Sequence, residues 1–379
     1  SLWAWARGLG VSKYHGIISS AYGVYRIKDT TKANPLFIHE FVRSAVFQWE
    51  LQVRSKGIWT SRLQLTDESF LDAPFLLPPI EEQNAIVRFL DYYDRLIKRY
   101  IRAKQKQIKL LNEQKQAIIH QAITRGLDPN VKLKPSGMEW LGDIPYHWEI
   151  LPGKATFQEK RIPNIGLIEK KVLSLSYGKI IVKSEEKLRG LVPNSFETYQ
   201  IIDDGDIIVR PTDLQNDQIS LRFGLCNERG IITSAYLCLN TKNSLSSEFA
   251  YYLLYSYDLI KIIYSLGSGL RQNLSWDDFK YLPILVPPIL EQTSIVDYIN
   301  LKNHYSEKQI QDYQHETTKL KEYQTRLIAD VVTGKQDVRV AATRLPAMME
   351  IEEIEDIEET LLEDVALEED EVTAEEGEA

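Results

Sequence analysis

The sequence LPPIEEQ at residues 77–83 recurs 209 residues later as VPPILEQ at residues 286–292. The same spacing joins further identical residues downstream: Val87 and Val296, Leu111 and Leu320, Glu113 and Glu322, and Ile119 and Ile328. A repeat of this length means that one architecture is used twice, so it decides the fold.

Each copy of the repeat predicts one long helix. A proline pair followed by Glu and Gln in the first turn is typical of a helix start. Gly126 and Gly334 stand where glycine closes a helix. Between them, apolar positions recur in steps of four and three residues, which is the spacing of a coiled-coil seam. We predict two helices of about 45 residues, each roughly 67 Å long, that pair with each other. Separate packing of each helix on its own domain is the alternative.

The predicted seam contains the same kind of residue in both helices. Its apolar members are Ile97, Ile101, Ile108, Leu111 and Ile118 in the first helix, and Ile310, Tyr313, Leu320, Leu327 and Val331 in the second.

Charge is distributed unevenly along the chain. The net charge is −9, but residues 348–379 contain 16 acids and no Lys or Arg. The rest of the chain is therefore basic, which favours a polyanionic partner, although a solvated helix face explains part of the excess. Apolar residues of the acidic tail fit one helical face, so the tail could dock on basic surface. A segment of this composition is more often solvated.

The remaining composition excludes several classes of protein. Cys226 and Cys238 are the only cysteines, without partners at zinc-ligand spacing, so we expect neither a disulfide scaffold nor a structural zinc. No apolar run approaches the length of a membrane span, and the start lacks a signal peptide and an initiator Met. We predict a reduced, cytoplasmic protein whose sequence enters in the middle of a domain.

The globular segments contain a second repeat. GIISSAY at residues 16–22 recurs as GIITSAY at residues 230–236, so residues 1–76 match only the second half of the segment at 136–285. The first globular domain therefore lacks its front half. The predicted strands are Lys171–Ser176, Ile180–Lys183, Ile207–Arg210 and Ile231–Leu239, and the predicted helix is Ser247–Leu266. The fold class is α+β.

Groups for catalysis are not recognisable in the sequence. There is no Walker A sequence and no glycine loop for a methyl donor. Asn34-Pro35-Leu36-Phe37 is close to an adenine methyltransferase motif, but Leu36 breaks it, and we interpret the stretch as a turn. Asp203, Asp204 and Asp206 flank a glycine before a strand and are interpreted as turn formers rather than metal ligands. We predict no catalytic residue, no metal and no cofactor in this chain.

Two polar segments have the side chains that DNA reading requires. Arg and Lys neutralise phosphates, while Arg, Gln, Asn, Ser and Thr present donors and acceptors to base edges. The first segment, Arg210–Asn216, follows a strand. The second is the glycine-rich loop Gly267–Asn273, whose equivalent at Ser61–Gln64 precedes the first long helix. The candidates are Arg62, Gln64, Lys170, Lys171, Lys179, Arg210, Thr212, Gln215, Asn216, Ser268, Arg271, Gln272 and Asn273. For the arginine near each long helix, capping of the following helix is an equal alternative. For the isolated lysines, plain solvated surface is favoured over phosphate contact.

The order of motifs resembles the specificity subunit of type I restriction–modification systems. The resemblance covers about residues 8–340 and rests on the repeated helix start, on WLGDIP at residues 140–145 and on GSGLRQNLSWDDF at residues 267–279. It implies two globular α+β target-recognition domains joined by two long helices that form an antiparallel coiled coil. The implied domains are 1–76 (the C-terminal half of the first recognition domain), 77–127 (first helix), 128–285 (linker and second recognition domain), 286–336 (second helix) and 337–379 (exit and acidic tail). The truncated first domain and the acidic tail depart from the family pattern.

The resemblance also implies a function. The chain would read a bipartite target in double-stranded DNA without catalysing a reaction. Two methyltransferase subunits with S-adenosylmethionine and motor–nuclease subunits with ATP would supply the chemistry. The alternative is a coiled-coil assembly protein that does not read DNA sequence.

Overall fold

The computed structural model describes residues 8–12, 14–20, 22–55, 65–183, 195–212, 214, 217, 220–265 and 273–346. The contacts of the chain divide it into two compact units. We call Ser1–Ile108 with Ile310–Ala379 the terminal unit, and Lys109–Gln309 the central unit. Among the described residues, no helix combines the length and the apolar character needed to cross a membrane.

The elements alternate between helices and short strands. The α-helices are α1 (Pro35–Arg43), α2 (Ala45–Arg54), α3 (Asp67–Leu71), α4 (Ile80–Arg125), α5 (Gly153–Thr156), α6 (Ser247–Leu259), α7 (Trp276–Phe279), α8 (Ile289–Val332) and α9 (Arg339–Thr343). The strands are β1 (Leu133–Pro135), β2 (Asp143–Pro145), β3 (Glu149–Pro152), β4 (Phe157–Lys160), β5 (Leu173–Ser176), β6 (Lys179–Val182), β7 (Gln200–Ile202), β8 (Ile207–Val209), β9 (Phe223–Leu225), β10 (Gly230–Ile232), β11 (Leu237–Thr241) and β12 (Pro283–Val286).

The two predicted long helices are confirmed as α4 and α8. They begin at Ile80 and Ile289, directly after the proline pairs, and so they start at the same place in the repeat. Gly126 follows α4 with φ of +73°, and Gly334 follows α8 with φ of +74°. Because L side chains are disfavoured in this left-handed region, both glycines act as the predicted helix ends.

A buried glutamine fixes the start of each long helix. Gln83 is fully buried, its amide donates to the carbonyls of Lys32 (2.8 Å) and Pro78 (2.7 Å), and its carbonyl accepts from Asn34 N (2.8 Å). Gln292 repeats this arrangement with three equivalent partners. They are the carbonyls of Ser244 (2.9 Å) and Pro287 (2.8 Å) and the amide of Ser246 (2.8 Å). Each glutamine thereby ties its long helix to the N-terminus of a second helix, α1 or α6.

The terminal unit is helical in its described part. Its core joins α1, α2 and the ends of α4 and α8, through the buried side chains Phe37, Phe41, Val42, Phe47, Leu51, Leu65, Ile86, Phe89, Leu90, Leu327, Val331, Val332, Val338 and Ala342. The turn predicted at Asn34–Phe37 is wrong, because the Asn34 side chain accepts from Leu36 N and caps α1, with Pro35 in its first turn. The exit after α8 leads into α9, whose Ala342 is buried.

The central unit is built around a four-stranded antiparallel sheet of order β4-β11-β8-β9. A separate pair, β3 with β12, leads directly into α8. The core includes Trp148, Phe157, Phe223, Phe249 and Phe279, all fully buried, together with Ile123 of α4 and Ile295 and Ile299 of α8. This α+β architecture agrees with the predicted class.

The strands predicted at 171–176, 180–183 and 207–210 are present as β5, β6 and β8 to within two residues, but the other two predicted elements of the central unit are divided or shortened. The strand predicted at Ile231–Leu239 is two strands, because a turn closed by Tyr236 N donating to Thr233 O (3.2 Å) sends β10 to β7 and β11 to β4 and β8. The helix predicted over Ser247–Leu266 ends at Leu259. Lys261 there has a φ of +61°, which no α-helix accommodates, and residues 262–265 form a 3₁₀ turn.

Candidate nucleic-acid interface

The structure brings two of the predicted DNA-reading segments together. Leu274 N donates to the carbonyl of Pro211 (2.8 Å), which places Arg210 and Thr212 beside Asn273. Arg210 directly follows β8, and its side chain is 38% exposed and lies 3.6 Å from the Asp217 carboxylate. Asn273 is exposed and precedes α7. The other predicted members, Arg62, Gln64, Gln215, Asn216, Ser268, Arg271 and Gln272, lie outside the described residues.

The three predicted lysines occupy the surface near β5 and β6. Lys170 and Lys179 are exposed. Lys171 is exposed too, but its ammonium binds the Glu228 carboxylate at 2.7 Å, and this hydrogen bond raises its pKa. Lys171 therefore already has a carboxylate partner, so phosphate contact by this residue would have to displace Glu228.

Arg222 was not predicted, yet it organises the polar segment after β8. Its side chain is fully buried, and its guanidinium donates to the carbonyls of Thr212 (2.8 Å) and Asp217. It also lies 3.3 Å from the Asp217 carboxylate, and its central carbon lies over the Tyr264 ring, 5.7 Å from the ring centre. Its own backbone amide donates to Asp258 of α6 (2.7 Å). Arg222 thus fixes the backbone at Thr212 and Asp217, which precede and follow the predicted DNA-reading residues Gln215 and Asn216 in the sequence.

Burial strongly raises the pKa of Asp258, the acid that accepts the hydrogen bond from the Arg222 backbone amide. Asp258 is 1% exposed, and desolvation raises its pKa to about 6 despite the hydrogen bond from Arg222 N. By contrast, the pKa of Asp217 is lowered, because backbone and side-chain hydrogen bonds from Ser220 and the charge of Arg222 outweigh its burial.

A shallow cavity of about 180 Å³ opens beside Pro211 and Leu274. Its wall includes Arg161, which is exposed, and the side chains of Tyr236, Ser275 and Trp276. A cation, hydroxyl groups and aromatic rings are the groups that contact phosphate, sugar and bases. Sequence reasoning missed Arg161 and Trp276. The available signal for Trp276 was its place directly after the Asn273 segment.

Two members of the acidic triplet, Asp203 and Asp206, pair with Lys160. Asp206 is fully buried, accepts from Asn240 Nδ2 (3.0 Å) and from Asp203 N (2.7 Å), and pairs with Lys160. Gly205 has a φ of +83° in the turn before β8. Within the described part of the chain, no group of three His, Cys, Asp or Glu residues could hold a metal ion. Cys226 and Cys238 are buried free thiols whose pKa values burial raises.

The predicted seam positions are the less exposed positions of both long helices. In the terminal unit Ile97, Leu327 and Val331 are buried, and Ile101, Ile108, Ile310, Tyr313 and Leu320 are half-buried. In the central unit Leu111 and Ile118 are half-buried. Between residues 98 and 117, the positions of α4 that are not exposed are Ile101, Arg102, Lys104, Ile108, Leu111 and Lys115. Lys104 and Lys115 continue the steps of three and four residues between the apolar seam positions.

Polar contacts connect α4 and α8 within each unit. In the terminal unit, Lys104 lies 3.0 Å from Glu316, and the Gln324 amide donates to the Asp94 carboxylate. The contacting segments of α4 and α8 therefore run in opposite directions in this unit. The hydrogen bond to Glu316 raises the pKa of Lys104 and lowers that of Glu316. In the central unit, Lys115 lies 3.1 Å from Glu307.

Comparisons with known proteins agree with the resemblance seen in the sequence. The chain is 26% identical over 267 residues to a protein named as the specificity subunit of the type I restriction enzyme MjaX of Methanocaldococcus jannaschii, covering 68% of this chain and 58% of that protein. It is 27% identical over 141 residues to the MjaVIII type I specificity subunit of the same organism, covering 35% of this chain and 31% of that protein. The chain thus spans little more than half the length of the first relative. No family model matches it.

The fold has a solved counterpart. A chain in a structure concerned with complex assembly and conformational transition of the type I R-M system matches with a TM-score of 0.61 at 16% identity, covering 81% of this chain and 73% of that chain. The protein is therefore similar in sequence to type I specificity subunits and in fold to a chain of a type I R-M structure, and the predicted resemblance is confirmed.

Proposed function

We propose that this chain is the DNA sequence-recognition subunit of a type I restriction–modification complex and that it reads a bipartite target. The sequence similarity to two type I specificity subunits supports this role. In this proposal the target-recognition domains are residues 1–76, as one half-domain, and residues 128–285, with helices at 77–127 and 286–336. The chain itself catalyses no reaction.

The hydrogen bond from Leu274 to Pro211 is the observation that carries the proposal. It joins two segments that the sequence separates by about sixty residues and that both contain side chains suited to base edges. Arg161 and Trp276 border the same place, so phosphate neutralisation and base stacking are available beside the reading groups. Arg210, Thr212 and Asn273 would read bases, and Arg161 would contact phosphate.

The long helices would form an antiparallel coiled coil that sets the distance between the two readers. The alternation of four and three residues in their burial, and the Lys104–Glu316 and Lys115–Glu307 pairs, support this pairing. Separated half-sites are the expected target of a protein with two related reading domains.

Methyl transfer and cleavage would belong to partner subunits. Two methyltransferase subunits would bring S-adenosylmethionine, and motor–nuclease subunits would use ATP. The proposal rests here on the sequence similarity, and this chain would contribute only recognition and assembly.

Selection from a random duplex pool tests the recognition role. The chain assembled with methyltransferase subunits should enrich one motif of two half-sites at a fixed salt concentration, because specific complexes exceed non-specific ones by at least about 10³-fold. In the Arg210→Ala and Asn273→Ala variants one half-site should lose its base preference, while Lys242→Ala, at a surface lysine bonded to Lys154 O, should not affect it. Equal recovery of unrelated duplexes would instead identify a coiled-coil assembly protein without sequence reading.

A further inference from the structure

The outer face of α4 presents a column of basic residues. Arg88, Arg95, Arg99, Arg102 and Lys106 follow one another in steps of seven, four, three and four residues, so they lie on one side of the helix. The seam positions Ile97, Ile101 and Ile108 lie on another side. The column is absent from α8, where the repeat places Asp297, His304, Lys308, Gln311 and His315.

Three members of this column are available for a partner. Arg99 and Lys106 are exposed, and Arg102 is half-buried. Within the described part of the chain, none of these three side chains has a hydrogen-bond or ion-pair partner, whereas the Arg95 side chain already contacts Asp91 (3.2 Å). Leu96 and Ala103 are exposed on the adjoining stripe, one heptad apart, and Leu96 is 50% exposed.

The last described residues of the chain reach the first member of the column. Arg88 donates to the carbonyl of Leu345 (2.8 Å), and Ala342 of α9 is buried in the same core as Ile86 and Phe89. The acidic tail therefore continues from a point on α4 itself. Arg99 lies about 16 Å farther along the helix, a distance that six extended residues can cover.

The tail complements this face in charge and in pattern. Residues 350–359 alone contain seven acids, and residues 348–379 contain no Lys or Arg. The apolar residues Ile351, Ile354, Ile357, Leu361 and Val365 recur in steps of three and four. We propose that the tail segment 350–365 docks within its own chain along the outer face of α4, with its acids on Arg99, Arg102 and Lys106 and its apolar face on Leu96 and Ala103.

In the docked state, the acidic tail competes with DNA and other polyanions for the basic residues of α4. When the tail is bound, the basic column is neutralised, so non-specific attraction of DNA to α4 is suppressed. Because the contact is formed by exposed charges, it weakens as salt shortens the Debye length.

Distance measurement between spin labels tests the contact directly. Labels are placed at Gln105→Cys, an exposed position of α4 outside the proposed contact, and at Thr360→Cys in the full chain; Cys226 and Cys238 are buried, and the unsubstituted chain measures any labelling of them. A narrow short-distance distribution is expected at about 0.05 M salt, with broadening at about 1 M salt, where the Debye length is about 3 Å. It should also broaden in the Arg99→Glu/Arg102→Glu/Lys106→Glu variant. Lys308→Glu/Lys319→Glu/Lys321→Glu on α8 is the charge-matched control and should keep the narrow distribution.

A second arm separates local docking from net charge. Ending the chain at residue 347 should strengthen binding to a non-specific duplex at least about tenfold at 0.1 M salt, and this gain should vanish when Arg99, Arg102 and Lys106 are all Glu. Broad distances under all conditions, an equal effect of the α8 control, or the same gain in the triple variant would each overturn the proposal. If the tail does not contact α4 and this face instead binds DNA or another subunit, the distances will be broad under all conditions.

Discussion

Arg222 is a buried cation that holds the backbone conformation of a surface segment. Its guanidinium holds the carbonyls of Thr212 and Asp217, and its backbone amide reaches Asp258 on α6. When the two copies of the repeat are aligned on the helix caps Asn34 and Ser246, Val46 stands in the place of Asp258. The first copy therefore has no carboxylate at the position aligned with Asp258.

Replacing Arg222 should strongly destabilise the central unit. Arg222→Met keeps most of the side-chain volume but removes the donor to the carbonyls of Thr212 and Asp217 and the buried positive charge beside the Asp217 carboxylate. Breaking a buried charged arrangement costs about 3–5 kcal/mol in the free energy of unfolding. Urea unfolding followed by tryptophan fluorescence measures this loss. Arg161→Met, at an exposed arginine, should change it by less than about 0.5 kcal/mol, and a similar small loss for Arg222→Met would contradict the assigned role.

Asp258 should make the stability of the central unit depend on pH. Its folded-state pKa of about 6 lies above the ordinary value of 3.8, so the folded protein binds the proton more tightly than the unfolded chain. Stability relative to Asp258→Asn should therefore fall as pH rises from about 4 to 6 and stay constant above that range, with a total change on the order of 3 kcal/mol. Urea unfolding of both proteins at a series of pH values measures the difference. Asp204→Asn, at an exposed acid, should give no such trend; a rise with pH for Asp258 would contradict the assignment.

At the scale of the elements, the sequence repeat predicts where the long helices begin and end, but not the side-chain contacts that hold them in place. The proline pairs and closing glycines are local signals, so the bounds of α4 and α8 could be read directly. The role of Gln83 and Gln292 could not, because two of the three partners of each lie about fifty residues away and a glutamine near a helix start is ordinarily exposed. The two strands β10 and β11 were merged for a similar reason: their partners, not their composition, separate them.

Removing either glutamine should destabilise the unit that contains it. Gln292→Ala leaves Ser246 N and the carbonyls of Ser244 and Pro287 unpaired in a buried place. At about 1–3 kcal/mol for each buried group left without a partner, a loss of at least about 3 kcal/mol is expected. Chemical unfolding of the central unit gives the value. Gln309→Ala, at an exposed position of the same helix, is the matched control and should stay within about 0.5 kcal/mol. Equal losses in the two variants would refute a structural role for Gln292.

At the scale of the whole molecule, sequence reasoning identifies the class of protein but locates the reading groups only in part. The Arg210–Thr212 and Asn273 segments were found because polar residues follow a strand and a glycine loop. Arg161 and Arg222 were not found, because β4 and β9 reach the same place only through the sheet. In the proposed account, two helices of matched length hold two readers, and other polypeptides supply the chemistry.

Helix length should then set the gap in the DNA target. Four residues added to both α4 and α8 at matched positions lengthen the pair by about 6 Å. The gap should grow by one or two base pairs, at about 3.4 Å each, while both half-sites keep their sequence. Duplexes with graded gaps measure the change by competition at constant salt. Four residues added after residue 346, outside both helices, should leave the gap unaltered; an unchanged gap in the helix variant would argue against the helices as the spacer.

Sequencing of methylated adenines tests the central claim most directly. The chain is expressed with methyltransferase subunits in a host that lacks adenine methylation, and the DNA is read for modified positions. The account predicts one motif made of two short half-sites separated by a gap of fixed length and indifferent sequence. Methylation at a single uninterrupted motif, or methylation without any motif, would contradict it.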